Sequence, residues 1–227
     1  EGNNTLNTMF LYNRYSSPIF KTNEVFITST EKITDFDIYN DFKSISVALN
    51  INKGETKKVS FIIGACTNNV KLIEKYSKYE NIEKEYEKVV SFWEDKLSYI
   101  KVNTPDKTFN YAINSWYLYQ AYSSRLYAKT GLYQVGGAFG FRDQLQDSMS
   151  ILYSDSKYAK YIILNCASHQ FENGEVLHWW HDDLNLGSRT KFSDDYLWLV
   201  YVTMEYIKIT GDYSILKEEI PFVEGPE

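Results

Sequence analysis

Two sites in the second half of the chain carry carboxylates with the potential for general acid chemistry. Asp143 follows a run of small residues, and Asp194 and Asp195 are adjacent at the start of a predicted helix. A helix N-terminus lowers the pKa of an Asp and suits ligand binding, whereas a general acid needs burial or a second carboxylate to raise its pKa. The Asp194–Asp195 pair offers that second effect and is the candidate acid site. The alternative is that Asp194 only caps the helix and Asp195 is a first-turn acid.

The segment GGAFGFRDQLQD, residues 136–147, combines small residues with a polar cluster. Glycine lets the backbone approach a ligand closely. Arg142 and Asp143 follow the small residues at once, and Gln146 comes one helical turn later. This order predicts a loop that leads into a helix whose first residues contact a polar ligand.

A second polar stretch contains HWWH at residues 178–181. His178 and His181 could bind a metal, but neither a Cys nor a third His lies nearby in sequence, and the spacing is not that of a zinc site. Trp179 and Trp180 are adjacent, so they point in different directions and cannot both face one core. We therefore predict a platform on which sugar rings stack, with core packing as the alternative for either ring.

Arg189 would place a cation near the same stretch. A guanidinium there could bind a pair of hydroxyls, a carboxylate or a phosphate, and an ordinary surface arginine is the alternative. The sequence has no Ser or Cys nucleophile in an elbow motif. Its GGAFG run does not follow a predicted strand, which disfavours a dinucleotide-binding fold.

The composition excludes several classes of partner. The 227 residues include 24 Lys and Arg against 30 Asp and Glu, which gives a formal net charge of -6. Nucleic acid or an anionic membrane surface would favour clustered positive charge, so neither is expected as a partner. Cys66 and Cys166 lie far apart among apolar residues and are predicted to be buried thiols, not a disulfide.

The predicted secondary structure of the first half changes from strands to helices near residue 66. Alternating apolar residues before this point predict strands, and the stretch 44–64, with a turn at Lys53-Gly54-Glu55, predicts a β-hairpin. Beyond it the apolar spacing becomes helical, and two helices are predicted with a break at Asn81.

The second half is predicted to be entirely helical. Thr104 followed by Pro105 predicts a helix with Thr104 as its N-cap. Further helices are predicted at about 143–153 and 156–169, before a loop at 171–193, and at 194–210 after it. Gly211 and Asp212 are predicted to end one helix and begin the next.

Four motifs occur in a characteristic order: GGAFGFRDQLQD, HWWH, RTKFSDDYLWL and YIKITGDYSIL. Together they resemble glycoside hydrolase family 94, which contains inverting disaccharide and oligosaccharide phosphorylases and their relatives in cyclic β-1,2-glucan synthesis. The resemblance covers about residues 60–227. HWWH and RDQLQD look more like the branch that acts on β-1,2-glucans, such as sophorose and its oligomers, than the cellobiose or chitobiose enzymes.

The resemblance implies an α+β multidomain fold in which an antiparallel β-sandwich is followed by a helical linker and part of an (α/α)6 barrel. Residues 1–66 would be the C-terminal part of the sandwich, 67–103 the linker, and 104–227 the N-terminal part of the catalytic barrel.

The resemblance also assigns roles to residues. Arg142 and Asp143 would bind hydroxyls of the sugar in the donor subsite. Asp194 would be the general acid that protonates the glycosidic oxygen, with Asp195 as its supporting neighbour, although motif position alone leaves the order of these two open. The remaining expected substrate-binding residues are Gln146, His178, Trp179, Trp180 and Arg189.

The implied activity is inverting phosphorolysis of β-1,2-linked gluco-oligosaccharides to α-glucose 1-phosphate. No cofactor is expected, and inorganic phosphate is the co-substrate. An inverting hydrolase needs an acid and a base about 6.5–9.5 Å apart, whereas phosphate is itself a nucleophile, so one acid suffices. The family binds phosphate with a His and a Thr-Gly pair late in the barrel, and none of the three histidines here matches that position.

We therefore expect the chain to be part of a longer protein that supplies the rest of the barrel and the phosphate site. A cytoplasmic location is expected, and a homodimer is left open. Two other functions also stay open at this point. One is a transglycosylating or hydrolytic domain of a cyclic β-1,2-glucan synthase, and the other is a non-catalytic carbohydrate-binding module.

Overall fold

The chain forms two compact units, residues 1–91 and 92–227, in a computed structural model. Gly136 and Gly137 of the small-residue segment lie outside the part of the chain that the structure describes. The described residues are 2–11, 24–39, 42–66, 69–127, 138–181 and 186–224.

The strands of the first unit are antiparallel, as the alternation predicts. One sheet has the strand order β1-β2-β3-β6, and β4 and β5 form a separate pair. That these sheets belong to a sandwich stays a prediction. The strands are β1 (Gly2–Asn3), β2 (Thr8–Leu11), β3 (Glu24–Ser29), β4 (Ile33–Ile38), β5 (Lys43–Val47) and β6 (Phe61–Cys66).

The predicted hairpin over residues 44–64 is wrong. β5 pairs with β4, whereas β6 pairs with β3. The turn itself is present, since Gly54 has a φ of 81° and the Glu55 amide donates to the Asn52 carbonyl at 3.0 Å. Alternation identifies residues able to form strands, but it does not identify the partner, because partners are chosen by contacts across the sheet.

In the larger sheet, a side chain of β3 packs closely against the backbone of β6. Phe26 on β3 is fully buried and lies opposite Gly64 on β6. A Cβ at Gly64 would come within 2.5 Å of the Phe26 ring, so the ring occupies the space that a side chain would need.

Two helices follow, α1 (Asn69–Tyr76) and α2 (Tyr79–Lys96). The break between them lies at residues 77–78, not at Asn81 as predicted. Asn81 is in the first turn of α2, and its side-chain amide donates to the Lys75 carbonyl at 2.7 Å. The residue that suggested a break therefore binds the C-terminal end of the preceding helix.

The helix after Pro105 begins later than predicted. Its N-cap is Asp106, whose Oδ1 accepts from the amides of Thr108 and Phe109 at 2.9 and 3.1 Å. Thr104 instead contacts Asn110, at 2.8 Å between Oγ1 and Oδ1. The helical stretch consists of α3 (Lys107–Tyr111), a π-helical turn (Ala112–Trp116), α4 (Tyr117–Gln120) and a second π-helical segment (Ala121–Tyr127).

The prediction that the second half is all-α is wrong. Three strands form an antiparallel sheet of order β7-β8-β9, and β8 and β9 lie inside the predicted loop at 171–193. The strands are short and irregular, so they lack the long alternation that reveals a strand in sequence. They are β7 (Phe139–Gly140), β8 (Val176–His181) and β9 (Leu186–Thr190).

Helices that follow β7 and β9 in the chain supply most of the second core. They are α5 (Phe141–Met149), α6 (Ser156–Ala167), α7 (Asp195–Thr210) and a final 3-10 turn (Tyr213–Lys217). Gly211 ends α7 with a φ of 71°, and Asp212 caps the 3-10 turn, both as predicted. Cys166 is a buried free thiol, as expected. The (α/α)6 barrel stays a prediction, and none of the helices in the described ranges is long and apolar enough to cross a membrane.

Candidate active site

A cleft of about 400 Å³ lies in the second unit, between the start of α5 and strand β8. Its wall offers a cation, a carboxylate, two imidazoles and an aromatic face, which together suit a polar ligand with apolar ring surfaces. The residues that line it are Ala138, Gly140, Arg142, Asp143, His178, Trp179 and His181.

The first wall is positioned by the junction between β7 and α5. Gly140 pairs with Trp179 of β8, and α5 begins at the next residue. Phe141 is fully buried and anchors this first turn in the core. Arg142 and Asp143 are consequently presented to the cleft from the first turn of a helix, as the sequence predicts.

The second wall contains an irregularity in β8. Leu177 lies opposite Arg189 and Trp179 lies opposite Ser188, so His178 is an extra residue without a counterpart on β9. A bulge of this kind redirects side chains. His178 and Trp179, which would point to opposite faces of a regular strand, therefore both line the cleft.

The two tryptophans do not form the predicted double platform. Trp179 is 41% exposed and lines the cleft, whereas Trp180 is only 2% exposed. The Trp180 ring stacks with His169 and Phe139, at centroid distances of 3.9 and 5.5 Å. The prediction for Trp180 is corrected, because a buried ring in these stacks cannot also receive a sugar.

Asp194 is joined to the cleft through Arg142. The Arg142 guanidinium donates from Nη1 to Asp194 Oδ2 at 2.9 Å, and both side chains are nearly half exposed. This hydrogen bond holds the pKa of the Asp194 carboxyl below its ordinary value. In the structure described, Asp194 is therefore an ionised carboxylate at neutral pH.

Asp195 has a different environment from its neighbour. It is the first residue of α7, is 1% exposed, and accepts a hydrogen bond on Oδ2 from His178 Nδ1 at 2.7 Å. The Phe192 ring lies 4.5 Å from the His178 ring, measured between centroids. Asp195 thus connects the start of α7 to the bulge in β8.

Two other predicted binding residues are not in the cleft. Arg189 pairs with Glu175, at 2.5 Å between Nε and Oε2, and its guanidinium lies 4.1 Å from the centroid of the Phe171 ring. Gln146 is exposed on α5. Neither is among the described residues that line the cleft, so the structure does not bring them to the predicted substrate.

The structure adds residues that sequence reasoning did not assign to the substrate. Ala138 and Gly140 line the cleft, consistent with the close backbone approach that small residues allow, and His181 lies beside Trp179 with 5.7 Å between ring centroids. The sequence indicates His181 only as a possible metal ligand. No group of three or more His, Cys, Asp or Glu is arranged for a metal within the described ranges.

With this geometry established, comparison with known proteins identifies the family. The family model described as "Glycosyl hydrolase 94 superfamily, catalytic domain" matches residues 92–227, the whole of the second unit. The chain belongs to glycoside hydrolase family 94.

Curated relatives carry several different activities in their names. The chain is 38% identical to cyclic beta-(1,2)-glucan synthase NdvB of Rhizobium meliloti (strain 1021) over 185 residues, 81% of this chain and 6% of that protein. It is 25% identical to N,N'-diacetylchitobiose phosphorylase of Vibrio proteolyticus over 218 residues, 83% of this chain and 27% of that protein. Solabiose phosphorylase of Paenibacillus borealis is 32% identical over 125 residues, 55% of this chain and 15% of that protein. The chain thus spans about a quarter or less of each.

Proposed function

We propose that the protein catalyses inverting phosphorolysis of β-1,2-linked gluco-oligosaccharides, with α-glucose 1-phosphate as product. The observation that carries this proposal is the contact between Arg142 and Asp194, which joins the predicted sugar-binding cleft to the predicted general acid. The β-1,2 linkage is supported by the name of the 38% identical relative, a cyclic beta-(1,2)-glucan synthase.

The cleft has the groups needed to hold a glucosyl unit. Arg142 can donate hydrogen bonds to sugar hydroxyls, and Asp143 can accept hydrogen bonds from them. Trp179 offers an exposed ring face. The three side chains come from the first turn of α5 and from β8. Strand β7 connects these two elements, because it pairs with β8 and leads directly into α5.

Asp194 must hold a proton when the glycosidic bond breaks, although Arg142 keeps it ionised in the structure described. The pair is solvent-exposed and contributes little to stability, so it can be exchanged readily for other contacts. A sugar whose hydroxyls take the Arg142 donors would weaken the pair and allow the Asp194 pKa to rise.

The reaction then balances with a single acid. Asp194 gives its proton to the glycosidic oxygen, the bond from that oxygen to the anomeric carbon breaks, and a phosphate oxygen bonds to this carbon from the opposite face. The proton that phosphate loses restores Asp194 by way of solvent. The products are α-glucose 1-phosphate and a glucan shortened by one unit.

The second candidate is transglycosylation within a cyclic β-1,2-glucan synthase. The identity with NdvB over 81% of this chain favours it. The same cleft and acid would serve that reaction, but a sugar hydroxyl or water would take the place of phosphate, and a base would have to accept the proton that this nucleophile loses.

The deciding experiment is phosphate dependence. The full-length protein is incubated with β-1,2-gluco-oligosaccharides with and without inorganic phosphate, and products are separated by anion-exchange chromatography. We expect glucose 1-phosphate only when phosphate is present. Longer, cyclic or hydrolysed glucans formed without phosphate would instead establish the second candidate, and no product under either condition would reject both.

The acid is tested by Asp194→Asn, since an amide cannot supply the proton. We expect turnover to be lost while oligosaccharide affinity, measured by calorimetry, is nearly unchanged. Asp35→Asn on β4 removes an exposed carboxylate outside the site and should leave the rate unaltered. Wild-type turnover by Asp194→Asn would exclude Asp194 as the acid.

A further inference from the structure

His178 occupies an unusual position for a side chain that lines a cleft. It is the extra residue of the bulge in β8, and its ring is held between a buried carboxylate and an aromatic ring. The hydrogen bond to Asp195 is the only one that the His178 ring makes within the part of the chain that the structure describes.

Asp195 depends on His178 in turn. A carboxylate that is 1% exposed requires hydrogen-bond partners to offset its loss of hydration. Its Oδ1 has none among the described residues, so the contact from His178 Nδ1 to Oδ2, at 2.7 Å, is the side-chain partner that the structure provides. The N-terminal end of α7 adds favourable electrostatics for the negative charge.

This contact determines which nitrogen of the imidazole carries the proton. An ionised carboxylate only accepts hydrogen bonds, so His178 Nδ1 is the donor when Asp195 is ionised. In a neutral ring, a proton on Nδ1 leaves Nε2 with a lone pair and no hydrogen. Nε2 then accepts a hydrogen bond and does not donate one.

We propose that Asp195 is a positioning residue that holds His178 in the Nδ1–H tautomer, so that Nε2 accepts a hydrogen bond from a sugar hydroxyl in the cleft. The proposal rests on the proposed function in taking a sugar as the ligand. Asp195 is then not only a neighbour of the acid but a residue that acts through His178. The site is selective for a sugar with a hydroxyl that can donate at one position.

Two substitutions of His178 separate a substrate contact from a structural one. His178→Asn retains an N–H able to donate to Asp195 but has no group in the place of Nε2. His178→Gln is long enough to place an amide oxygen near the Nε2 position. We expect oligosaccharide affinity to fall about tenfold in His178→Asn and to stay within about threefold of wild type in His178→Gln. Wild-type affinity in His178→Asn would mean that the ring only serves Asp195, and would overturn the proposal.

Modified sugars test the direction of the hydrogen bond. Glucosides with one hydroxyl replaced by hydrogen or by fluorine are titrated into the full-length protein, at a pH above the titration range of imidazole. At the hydroxyl that donates to Nε2, we expect both replacements to weaken binding about tenfold in wild type, because fluorine cannot donate, with no further loss in His178→Asn; a hydroxyl that donates to Asp143 would keep its loss in that variant. A fluorinated sugar that binds like the parent at every position would show that Nε2 does not accept, and would refute the tautomer assignment.

The role of Asp195 is tested by measuring the protonation of the two ring nitrogens of His178 by NMR. In wild type, the ¹⁵N shifts of His178 should show a protonated Nδ1 and an unprotonated Nε2. Asp195→Asn can donate as well as accept, so the two tautomers should become mixed. An unchanged tautomer in that variant would exclude Asp195 as the positioning residue. If the wild-type protein binds no sugar at all, the proposed function fails with it, whereas sugar binding without these differences rejects only this inference.

Discussion

The two adjacent tryptophans of the HWWH segment differ in their exposure and in what their rings contact. Trp179 is exposed and faces the cleft, whereas Trp180 is buried and stacks with His169 and Phe139. The same residue type therefore faces the cleft at one position and packs in the core at the next. Which position has which role depends on the register of β8 against β7 and β9.

Alanine substitutions of this pair should have opposite effects. Trp179→Ala should weaken oligosaccharide binding about threefold to tenfold, the worth of an aromatic contact, with little change in stability. Trp180→Ala should lower the free energy of unfolding by about 3–5 kcal/mol, because it leaves a cavity in the core. Calorimetry with the oligosaccharide and denaturant titration measure the two effects. Equal losses of stability in both variants would contradict the assignment of Trp179 to the cleft.

At the scale of elements, α7 carries a distinct polar arrangement at each end. Its N-terminus is bound to α5 through Asp194 and to β8 through Asp195. Beyond its C-terminus, Asp212 accepts hydrogen bonds from Tyr206 of α7 and Lys160 of α6, at 2.8 and 3.2 Å. The N-terminal contacts position the candidate site, whereas the C-terminal ones hold two helices together.

Asp212 should make stability depend on pH in the acid range. Hydrogen bonds from Ser214, Tyr206 and Lys160 hold the pKa of Asp212 well below its ordinary value. Its stabilisation is therefore complete above the unfolded pKa of about 3.9 and is lost as pH falls toward the folded pKa.

The test compares Asp212→Asn with wild type in thermal unfolding as a function of pH. We expect a lower midpoint for the variant at neutral pH, and a difference that narrows progressively below about pH 4. Glu219→Gln, at an exposed position nearby, should follow the wild-type curve. A gap that widens on acidification would show that the sign of the linkage is wrong.

At the scale of the whole molecule, each of the two compact units has its own buried residues. Phe26 is buried in the first unit and Phe141 in the second. The cleft is lined only by residues of the second unit among those that the structure describes. All five tryptophans of the sequence also lie in that unit, so tryptophan fluorescence reports mainly on it.

Alanine substitutions of these two phenylalanines should affect different units. Each should cost about 3–5 kcal/mol in the unit that contains it. Phe26→Ala should leave both the fluorescence-detected transition and the oligosaccharide affinity unchanged, while circular dichroism shows earlier loss of structure. Phe141→Ala should shift the fluorescence transition and weaken binding, because Phe141 anchors the turn that carries Arg142 and Asp143. A loss of sugar affinity in Phe26→Ala would show that the units are not independent.

Much of the local structure could be predicted from the sequence. Helix α6, the glycine that ends α7 and the cap at Asp212 depend on residues close together in the chain, and the sequence predicts all three. The family resemblance, carried by motifs in a fixed order, is confirmed for the second unit.

Contacts between distant residues were not predictable in this way. The partner of β6, the sheet formed by β7, β8 and β9, and the bulge at His178 all depend on pairing across the fold. The separate environments of Asp194 and Asp195 arise in the same way, because Arg142 lies 52 positions from the first and His178 lies 17 positions from the second.

The sequence by itself determined which residues are available for chemistry: Arg142 and Asp143 at a helix start, the HWWH segment, and two adjacent aspartates. Only the tertiary structure decided how they are used. In the folded protein Trp180 is buried and Arg189 pairs with Glu175. Asp194 contacts the Arg142 guanidinium, and Asp195 contacts the His178 imidazole. The physical reason is that burial and charge pairing depend on which distant side chains the fold brings within hydrogen-bond distance, and local spacing does not contain that information.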